Sequence, residues 1–509
     1  MSLLLSPMAK SGTIPFYNGV ATQSLRFDSG SEAYLSRTPS SASNRKTWTF
    51  STWFKIANPA SNHAILSAGT SNTSRAALYL SSGGQFVTDV AGTGDYDRSV
   101  ALFRDPSAWY HIVWSFDTTQ STGANRSRIY INGTEITLTK TRTWSLNTDY
   151  RINNTELHTI GALSNGLGFK NNAYYAETNF VDGSQLTPSN FGETKNGVWI
   201  PIEYTGSYGT NGYRLKFESS DFNESGSAVT DPYGSSTNVP DDDVADASGS
   251  GNHFSVSGLV TSDFGMPDSP ENNFATLNAL DKGSQVDLAE GNLGVSWSGT
   301  TGHSVRSTFT MSSGKWYAEF MRGASVISIG IAKQNNTGVG VSWLGSTAYG
   351  AGGSYGYNSS GTKRTNGSND SYGATFASGD IIGVAFDSDN GTITFYKNGA
   401  SQGEAYSGIS GEFSFGLGYY GAPINSTKAI INFGQDGSFA GTLTGTAIGD
   451  ETDDNGYGLF KYAPPSGFLS LCSANLPEPT IGANSDTQAD DHFNTALFTS
   501  DVVNPSGSQ

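Results

Sequence analysis

Two stretches of this chain, far apart in sequence, share one order of features, and that order restricts the fold more than any other property. In the first, Trp109-Tyr110-His111-Ile112-Val113-Trp114-Ser115-Phe116-Asp117 runs into a polar turn and returns as Arg128-Ile129-Tyr130-Ile131-Asn132-Gly133. In the second, Asp380-Ile381-Ile382-Gly383-Val384-Ala385-Phe386-Asp387 runs into Ser388-Asp389-Asn390-Gly391 and returns as Thr392-Ile393-Thr394-Phe395-Tyr396-Lys397-Asn398-Gly399. Alternate residues of a strand point to one side, so Ile112, Trp114 and Phe116 share a face, as do Ile382, Val384 and Phe386. The closing Asn-Gly supplies the positive φ of a tight turn. Any antiparallel hairpin has this general look, but the shared order and ending predict two β-sandwiches of one type.

The chain of 509 residues is long enough for two large sandwiches with connecting pieces. It has 63 glycines, 14% charged residues and 12% aromatics, which fits many short strands between polar turns and not disorder. Helical periodicity is nowhere sustained for more than two turns. The expected fold class is therefore all-β: two antiparallel β-sandwich (jelly-roll) domains with an irregular connector and a C-terminal extension. The expected divisions are an N-terminal arm at 1–15, a sandwich at 16–192, a connector at 193–290, a second sandwich at 291–436, and an extension and tail at 437–509. The connector is too aromatic for a Gly/Ser-type tether and is expected to be ordered.

Charge and cysteine content narrow the partners. The formal net charge of -17, with no offsetting Lys/Arg cluster, argues against nucleic acid and anionic membranes. The single cysteine, Cys472, excludes an intrachain disulfide and a Cys-based zinc site. The N-terminal Met-Ser-Leu-Leu-Leu-Ser-Pro has too few apolar residues for a signal sequence. No apolar run approaches the roughly 18 residues that span a bilayer. Synthesis in a cytoplasm without membrane insertion is expected, with release by a route such as lysis if the protein acts outside.

At these residues the chain resembles known families. Residues Asn292–Phe433 resemble a SPRY (B30.2-like) domain through Gly314-Lys315-Trp316-Tyr317-Ala318-Glu319-Phe320, Ile329-Gly330-Ile331-Ala332, Tyr355-Gly356-Tyr357, Gly379–Val384 and the second hairpin. Phe413-Ser414-Phe415-Gly416-Leu417 and Ile431-Asn432-Phe433-Gly434 complete the set. Residues from about 16 to 192 resemble a laminin-G/concanavalin-A-like lectin domain through Leu25-Arg26-Phe27-Asp28, Trp48–Phe54, the first hairpin and Ile160-Gly161-Ala162. The pairing, with Asn272–Asn278 between, is similar to that in marine bacteriophage proteins. That resemblance implies a virion appendage or fibre component and a virion location.

Candidate sites are of three kinds. For catalysis, glycosidases need two carboxylates across one cleft. The nearest approach to their usual Glu-x-Asp-x-x-Glu spacing is Glu451-Thr452-Asp453, outside both sandwiches, so no catalytic residue is assigned. His111 is expected to be a packed or surface residue. For a metal, laminin-G-like domains often hold Ca²⁺ at the sandwich rim, and Asp28, Glu177 and Asp182 are the candidates to converge there, against a reading as solvated turn carboxylates. The acidic run Asp241–Asp243 with Asp246 is a second candidate for Ca²⁺, against the expected reading as an exposed acidic loop. For ligand contact, Asp95, Tyr96, Asp97 and Arg98 are expected in a loop of the first sandwich. Trp343, Tyr349, Tyr355, Tyr357, Arg364, Tyr372, Tyr419 and Tyr420 are expected in or near loops that the SPRY resemblance implies form a binding face. Tyrosine and tryptophan also fill sandwich cores, so core packing is the competing reading.

The leading functional expectation is a non-enzymatic bacteriophage virion protein that contacts host-surface glycan or another virion protein, possible as a homo-oligomer. The alternatives are a capsid or tail decoration protein that binds no sugar, and a polysaccharide hydrolase with dispersed carboxylates.

Overall fold

Period-two alternation is realised throughout. The computed structural model describes residues 16–71, 74–90, 96–140, 144–164, 166–299, 302–323, 327–334, 337–340, 342–419 and 424–476. Among them the only helical pieces are short 3-10 turns, and the fold is all-β. Both repeated hairpins form, with Trp114 opposite Ile129 and Val384 opposite Phe395. Each closing Asn-Gly makes the next two-residue turn with positive φ at both positions: 48° and 79° at Asn132-Gly133, 49° and 80° at Asn398-Gly399.

The first sandwich packs two sheets. Sheet A runs Leu25–Phe27, Ala173–Asp182, Thr47–Ile56, Trp109–Asp117, Ser127–Ile131 and Thr134–Glu135, with Tyr213–Leu215 added beside Ala173–Asp182. Sheet B runs Leu138–Lys140, Tyr96–Ser99, Phe86–Val90, Ser74–Leu80, His63–Ser71, His158–Ile160, Tyr34–Arg37, Phe254–Ser257, Asp243–Val244 and Phe222–Asn223. Their core holds Trp48, Phe50, Ile112, Trp114 and Phe116, with Trp48 stacked on Phe116 at 4.7 Å.

In the second sandwich, sheet C runs Leu277–Lys282, His303–Ser307, Phe413–Tyr419, Ile327–Lys333, Ser354–Asn358, Thr362–Thr365 and Ser368–Ser371. Sheet D runs Val286–Ala289, Gly294–Trp297, Ile424–Asn432, Lys315–Met321, Ile381–Asp387, Thr392–Lys397 and Ala400–Tyr406.

The expected connector is not a separate unit. Four of its strands, Tyr213–Leu215, Phe222–Asn223, Asp243–Val244 and Phe254–Ser257, complete the first sandwich, while Leu277–Lys282 and Val286–Ala289 begin the second. The passage between sandwiches falls near 266–276. The sequence pattern placed it differently because these strands are short and flanked by Gly, Asp and Pro. They gain order by edge pairing and not from a run of apolar residues.

The core of the second sandwich extends onto the outer face of sheet A. Sheet A is covered on both faces: Phe54 and Tyr175 point into the first sandwich, while their neighbours Trp53 and Tyr174 join the cluster that contains Leu293, Phe320 and Phe415. Glycine is required at 291, where φ is 62° and a Cβ would lie 2.2 Å from the Tyr174 hydroxyl oxygen. That hydroxyl donates to the Gly291 carbonyl at 2.9 Å. Buried charges cross the same seam. Arg26 donates to Asp263 through Nε and Nη2 (3.1 and 2.9 Å) and to Asp436 through Nη1 (2.6 Å). Lys55 Nζ donates to Asp268 (2.7 Å), Asn273 (2.7 Å) and the Phe274 carbonyl (2.8 Å), so all its protons are used.

Residues 437–476 pack on the second sandwich. Leu469–Ser470 runs parallel to Lys315–Met321, and Phe460 lies against Tyr317 at 5.2 Å. Glu319, wholly buried, accepts backbone N–H groups of Lys461 (2.8 Å) and Tyr462 (2.9 Å). Asp453 is buried and accepts from Ser470 N (2.8 Å), Ser470 Oγ (2.6 Å) and Asn475 Nδ2 (2.7 Å).

Two outcomes follow. Arg26→Met strands two buried carboxylates and is expected to cost about 3–5 kcal/mol in urea unfolding at neutral pH. Desolvation pushes the Glu319 carboxyl up from 4.5 to about 7, its backbone donors notwithstanding. The folded state then holds this proton more tightly than the unfolded chain, so the stabilisation is complete below pH 4.5 and is lost as pH rises through about 7. Glu319→Gln is expected to flatten the fall of the urea midpoint across that window.

Candidate functional site

The residues expected to contact ligand divide by burial. Tyr357 is wholly buried, donates to the Ala374 carbonyl and lies among Tyr372, Phe376 and Phe395. Tyr349 is buried with its hydroxyl on Ser304 Oγ, and Tyr419 is buried against Trp297. Tyr355 is half-buried between Tyr406 and Phe413. Half-buried Tyr372 donates to the Gly403 carbonyl. Tyr355 and Tyr357 belong to the strand Ser354–Asn358 and Tyr419 to Phe413–Tyr419, so these are not loop residues. The hydroxyls of Tyr357 and Tyr372 donate to carbonyls inside the domain, and the rings of Tyr355, Tyr357 and Tyr419 pack within it.

Two aromatic–guanidinium pairs remain at the surface. Half-buried Trp343 carries Arg364 with its guanidinium carbon 5.8 Å from the ring centroid, and Arg364 Nε donates to Asn369 Oδ1 at 2.9 Å. Arg364 lies on the strand Thr362–Thr365 and not in a loop. In the first sandwich Arg98 stacks on Tyr96 at 4.0 Å, both half-buried. The intervening Asp97 points inward, where it accepts from Trp144 Nε1 at 3.2 Å. Tyr96–Ser99 is thus a strand whose alternation sends Tyr96 and Arg98 one way and Asp97 the other. Asp95 and Tyr420 lie outside the described residues.

The expected calcium trio does not converge. Asp28 caps the turn Ser29–Ser31, accepting from Ser31 N (3.0 Å) and, across the domain seam, from Glu290 N (2.9 Å). Glu177 pairs with Arg214 at 2.8 Å. Asp182 accepts from Asn44 N (3.2 Å), Asn211 N (3.1 Å) and Asn153 Nδ2 (2.6 Å). Asp28 sits beside Asn172, where the strand Ala173–Asp182 begins, Glu177 lies midway and Asp182 is at its far end. At about 3.3 Å per residue that strand separates the outer two by roughly 30 Å. The acidic run divides: Asp241 and Asp242 are exposed as expected, while Asp243 and Asp246 are buried, and Asp246 accepts from Arg214 N, Ser248 N and Asn252 N, each at 2.9 Å. Among the described residues no group of three or more His, Cys, Asp or Glu is set to hold a metal ion.

His111 is a packed residue. It lies between Trp53 at 4.9 Å and Trp199 at 5.9 Å, with Nε2 on Ser51 Oγ and Nδ1 accepting from Trp199 Nε1, both at 2.9 Å. Burial drives its pKa down to about 3, so it is neutral with both nitrogens engaged.

One concavity was not foreseen from sequence. A cleft of about 820 Å³ opens at the domain seam, between residues 219–266 of the first sandwich and 435–459 beyond the second. Its walls come from three distant segments without a shared motif, so no local signal marks it.

The described residues thus form two antiparallel sandwiches in tandem. Residues 28–182 match the family described as the concanavalin A-like lectin/glucanases superfamily, and residues 315–428 match the SPRY domain. The chain carries these two domains in that order. Similar solved structures include the SPRY domain of human HERC1, at 18% identity over 27% of this chain and 87% of that one, with a TM-score of 0.24. A human SPRY domain matches at 16% identity, over 29% and 94%, with a TM-score of 0.24. The TRIM65 PSpry domain matches at 14%, over 31% and 89%, with a TM-score of 0.25.

Replacing Asp182 with alanine leaves three polar N–H donors unmatched and is expected to cost about 3 kcal/mol by denaturant titration. Calcium or a chelator is expected to leave the wild-type melting temperature unchanged, because this carboxylate is filled by protein donors.

Proposed function

We propose that this chain is a non-catalytic bacteriophage virion protein, an appendage component whose sandwiches contact host-surface glycan. The observation that supports this most is the buried seam, apolar and ion-paired, that joins two binding-type domains into a single platform. A rigid double platform can engage a repeating surface at two points without a second ordering cost. The Trp343–Arg364 pair is the proposed contact on the SPRY domain, since a planar aromatic and a guanidinium at a half-buried rim combine apolar area with directed hydrogen bonding. The Tyr96–Arg98 pair is the counterpart on the first sandwich. In keeping with this reading, the carboxylates singled out from sequence serve as caps and ion-pair partners, in positions that stabilise loops.

Binding of the full chain to a glycan array and its detection in purified particles test the proposal. Trp343→Ala or Arg364→Ala is expected to weaken glycan binding at least tenfold, about 1.4 kcal/mol, with an unchanged melting temperature. Particle incorporation without any glycan retention favours a decoration role. Release of reducing ends from host polysaccharide overturns the non-catalytic reading.

A further inference from the structure

A second cleft at the seam, of about 520 Å³, is built by both sandwiches. The first sandwich supplies three loops: residues 57–62 after the strand Thr47–Ile56, 81–85 after Ser74–Leu80, and 100–108 before Trp109–Asp117. Hydrogen bonds tie these loops together. Ser82 N donates to Asn62 Oδ1 (2.9 Å), Phe103 N to the Gly84 carbonyl (2.7 Å), and Arg104 Nε and Nη2 to the Gly83 carbonyl (3.0 and 2.6 Å). Gly84, with φ 82°, lets the arginine lie across the turn: a Cβ there would sit 2.6 Å from Arg104 Cγ. The second sandwich supplies the strands Leu277–Lys282 and Val286–Ala289. Asn292, just beyond them, is tied to the first loop by donating to the Ala57 carbonyl at 2.6 Å. The volume lies in the range of small-molecule sites.

The lining narrows the occupant. Its charged side chains are Arg104 from one sandwich and Lys282 and Asp287 from the other. Among the described residues neither cation forms an ion pair. Lys282 commits one of its three N–H donors, to the Val286 carbonyl, and Arg104 commits two of its five, to Gly83. The carboxylates beside them in sequence are taken: Asp281 pairs with Arg306 at 2.7 Å, and Asp105 accepts from Ser107 N (2.8 Å) and Oγ (2.6 Å). The whole chain carries 45 acidic against 28 basic residues, so two cations to one carboxylate reverses its overall balance. Such a lining attracts an anion, and its single net positive charge favours one negative charge over two. Asn58 and Ser82 add neutral groups that can bond hydroxyls, and Leu280, 62% exposed, adds an apolar wall for C–H groups.

We propose that this second cleft binds a hydroxylated monocarboxylate, the chemistry of a uronic acid, with its carboxylate held by Arg104 and Lys282. The source is a free sugar acid or one residue of an acidic polysaccharide. The site is separate from the Trp343–Arg364 and Tyr96–Arg98 pairs and does not rest on them. Because its two cations come from different sandwiches, the bound acid links the domains across the seam.

Calorimetric titration of the full chain tests this with D-galacturonate, D-glucuronate and their linear tetrasaccharides, against D-galactose, acetate and inorganic phosphate. At least one uronate is expected to bind at least tenfold more tightly than every control. Binding no tighter than acetate or phosphate leaves a general anion site and overturns the proposal, as does binding no tighter than galactose. Under the proposal, equal affinity for monomer and tetrasaccharide assigns the free acid, and at least tenfold tighter binding of the tetrasaccharide assigns the polysaccharide. Arg104→Gln and Lys282→Met are each expected to weaken uronate binding at least tenfold, and Lys282→Arg to retain it. Binding that survives both charge removals places the acid elsewhere and overturns the proposal, whatever a glycan array shows. Binding lost in both, together with a blank glycan array, removes the rim contacts and leaves this site standing. Wild-type protein gives a readout that does not depend on a variant folding. Acetylation of Lys282 by acetic anhydride, read by peptide mass, is expected to slow at least fivefold in saturating uronate while exposed Lys140 is unaffected. Equal slowing at both lysines, or none at Lys282, overturns the proposal.

Discussion

One buried cation holds the two halves of this molecule in register. Arg26 lies 237 residues from Asp263 and 410 from Asp436, yet its guanidinium bonds both carboxylates with almost no exposure to water. Lys55 does the same for the segment that crosses between sandwiches, through Asp268, Asn273 and Phe274. Such ion pairs add little net stability, because desolvating the charges offsets most of their attraction. Their consequence is geometric. Any slip or rotation at the seam separates a buried charge from its partner, which costs more than the loss of a comparable apolar contact. Apolar burial by Trp53, Trp109 and Tyr174 supplies the adhesion, and the charges select one arrangement.

The acidic composition takes on meaning in this light. Asp182, Asp246, Asp436 and Asp453 each accept several N–H or O–H donors from loop residues nearby. A carboxylate presents two oxygens and about four acceptor sites, so one side chain can satisfy the backbone of a whole irregular loop. Loops between short strands leave many N–H groups without a ladder partner, and a chain with few helices must pair them in another way. Part of the net negative charge is thus spent on folding and does not reach the surface.

The hairpins were legible in sequence because their information is local: alternation assigns faces, and Asn-Gly assigns the turn. The candidate site was less legible. Tyr357 and Tyr419 have the same local pattern as a rim residue, flanked by glycine and polar residues, yet they point into the core. Asp97 and its neighbours Tyr96 and Arg98 look like a polar loop until pairing with Leu138–Lys140 and Phe86–Val90 makes them a strand. Trp53 and Lys55 lie on the face of their strand opposite Phe54, and only the tertiary structure shows that a second domain covers them.

The sequence by itself determined that the chain is all-β, that it contains two sandwiches of related type and in which order, and which residues form the central hairpins. All of this follows from period-two alternation and turn chemistry, which act over a few residues. Only the tertiary structure decided where the first sandwich ends, which aromatics stay at the surface, that the calcium candidates lie far apart, and that the sandwiches join through a buried seam with a cleft beside it. Those outcomes depend on which distant strand or buried charge meets which, and contacts hundreds of residues apart leave no periodic trace in the chain.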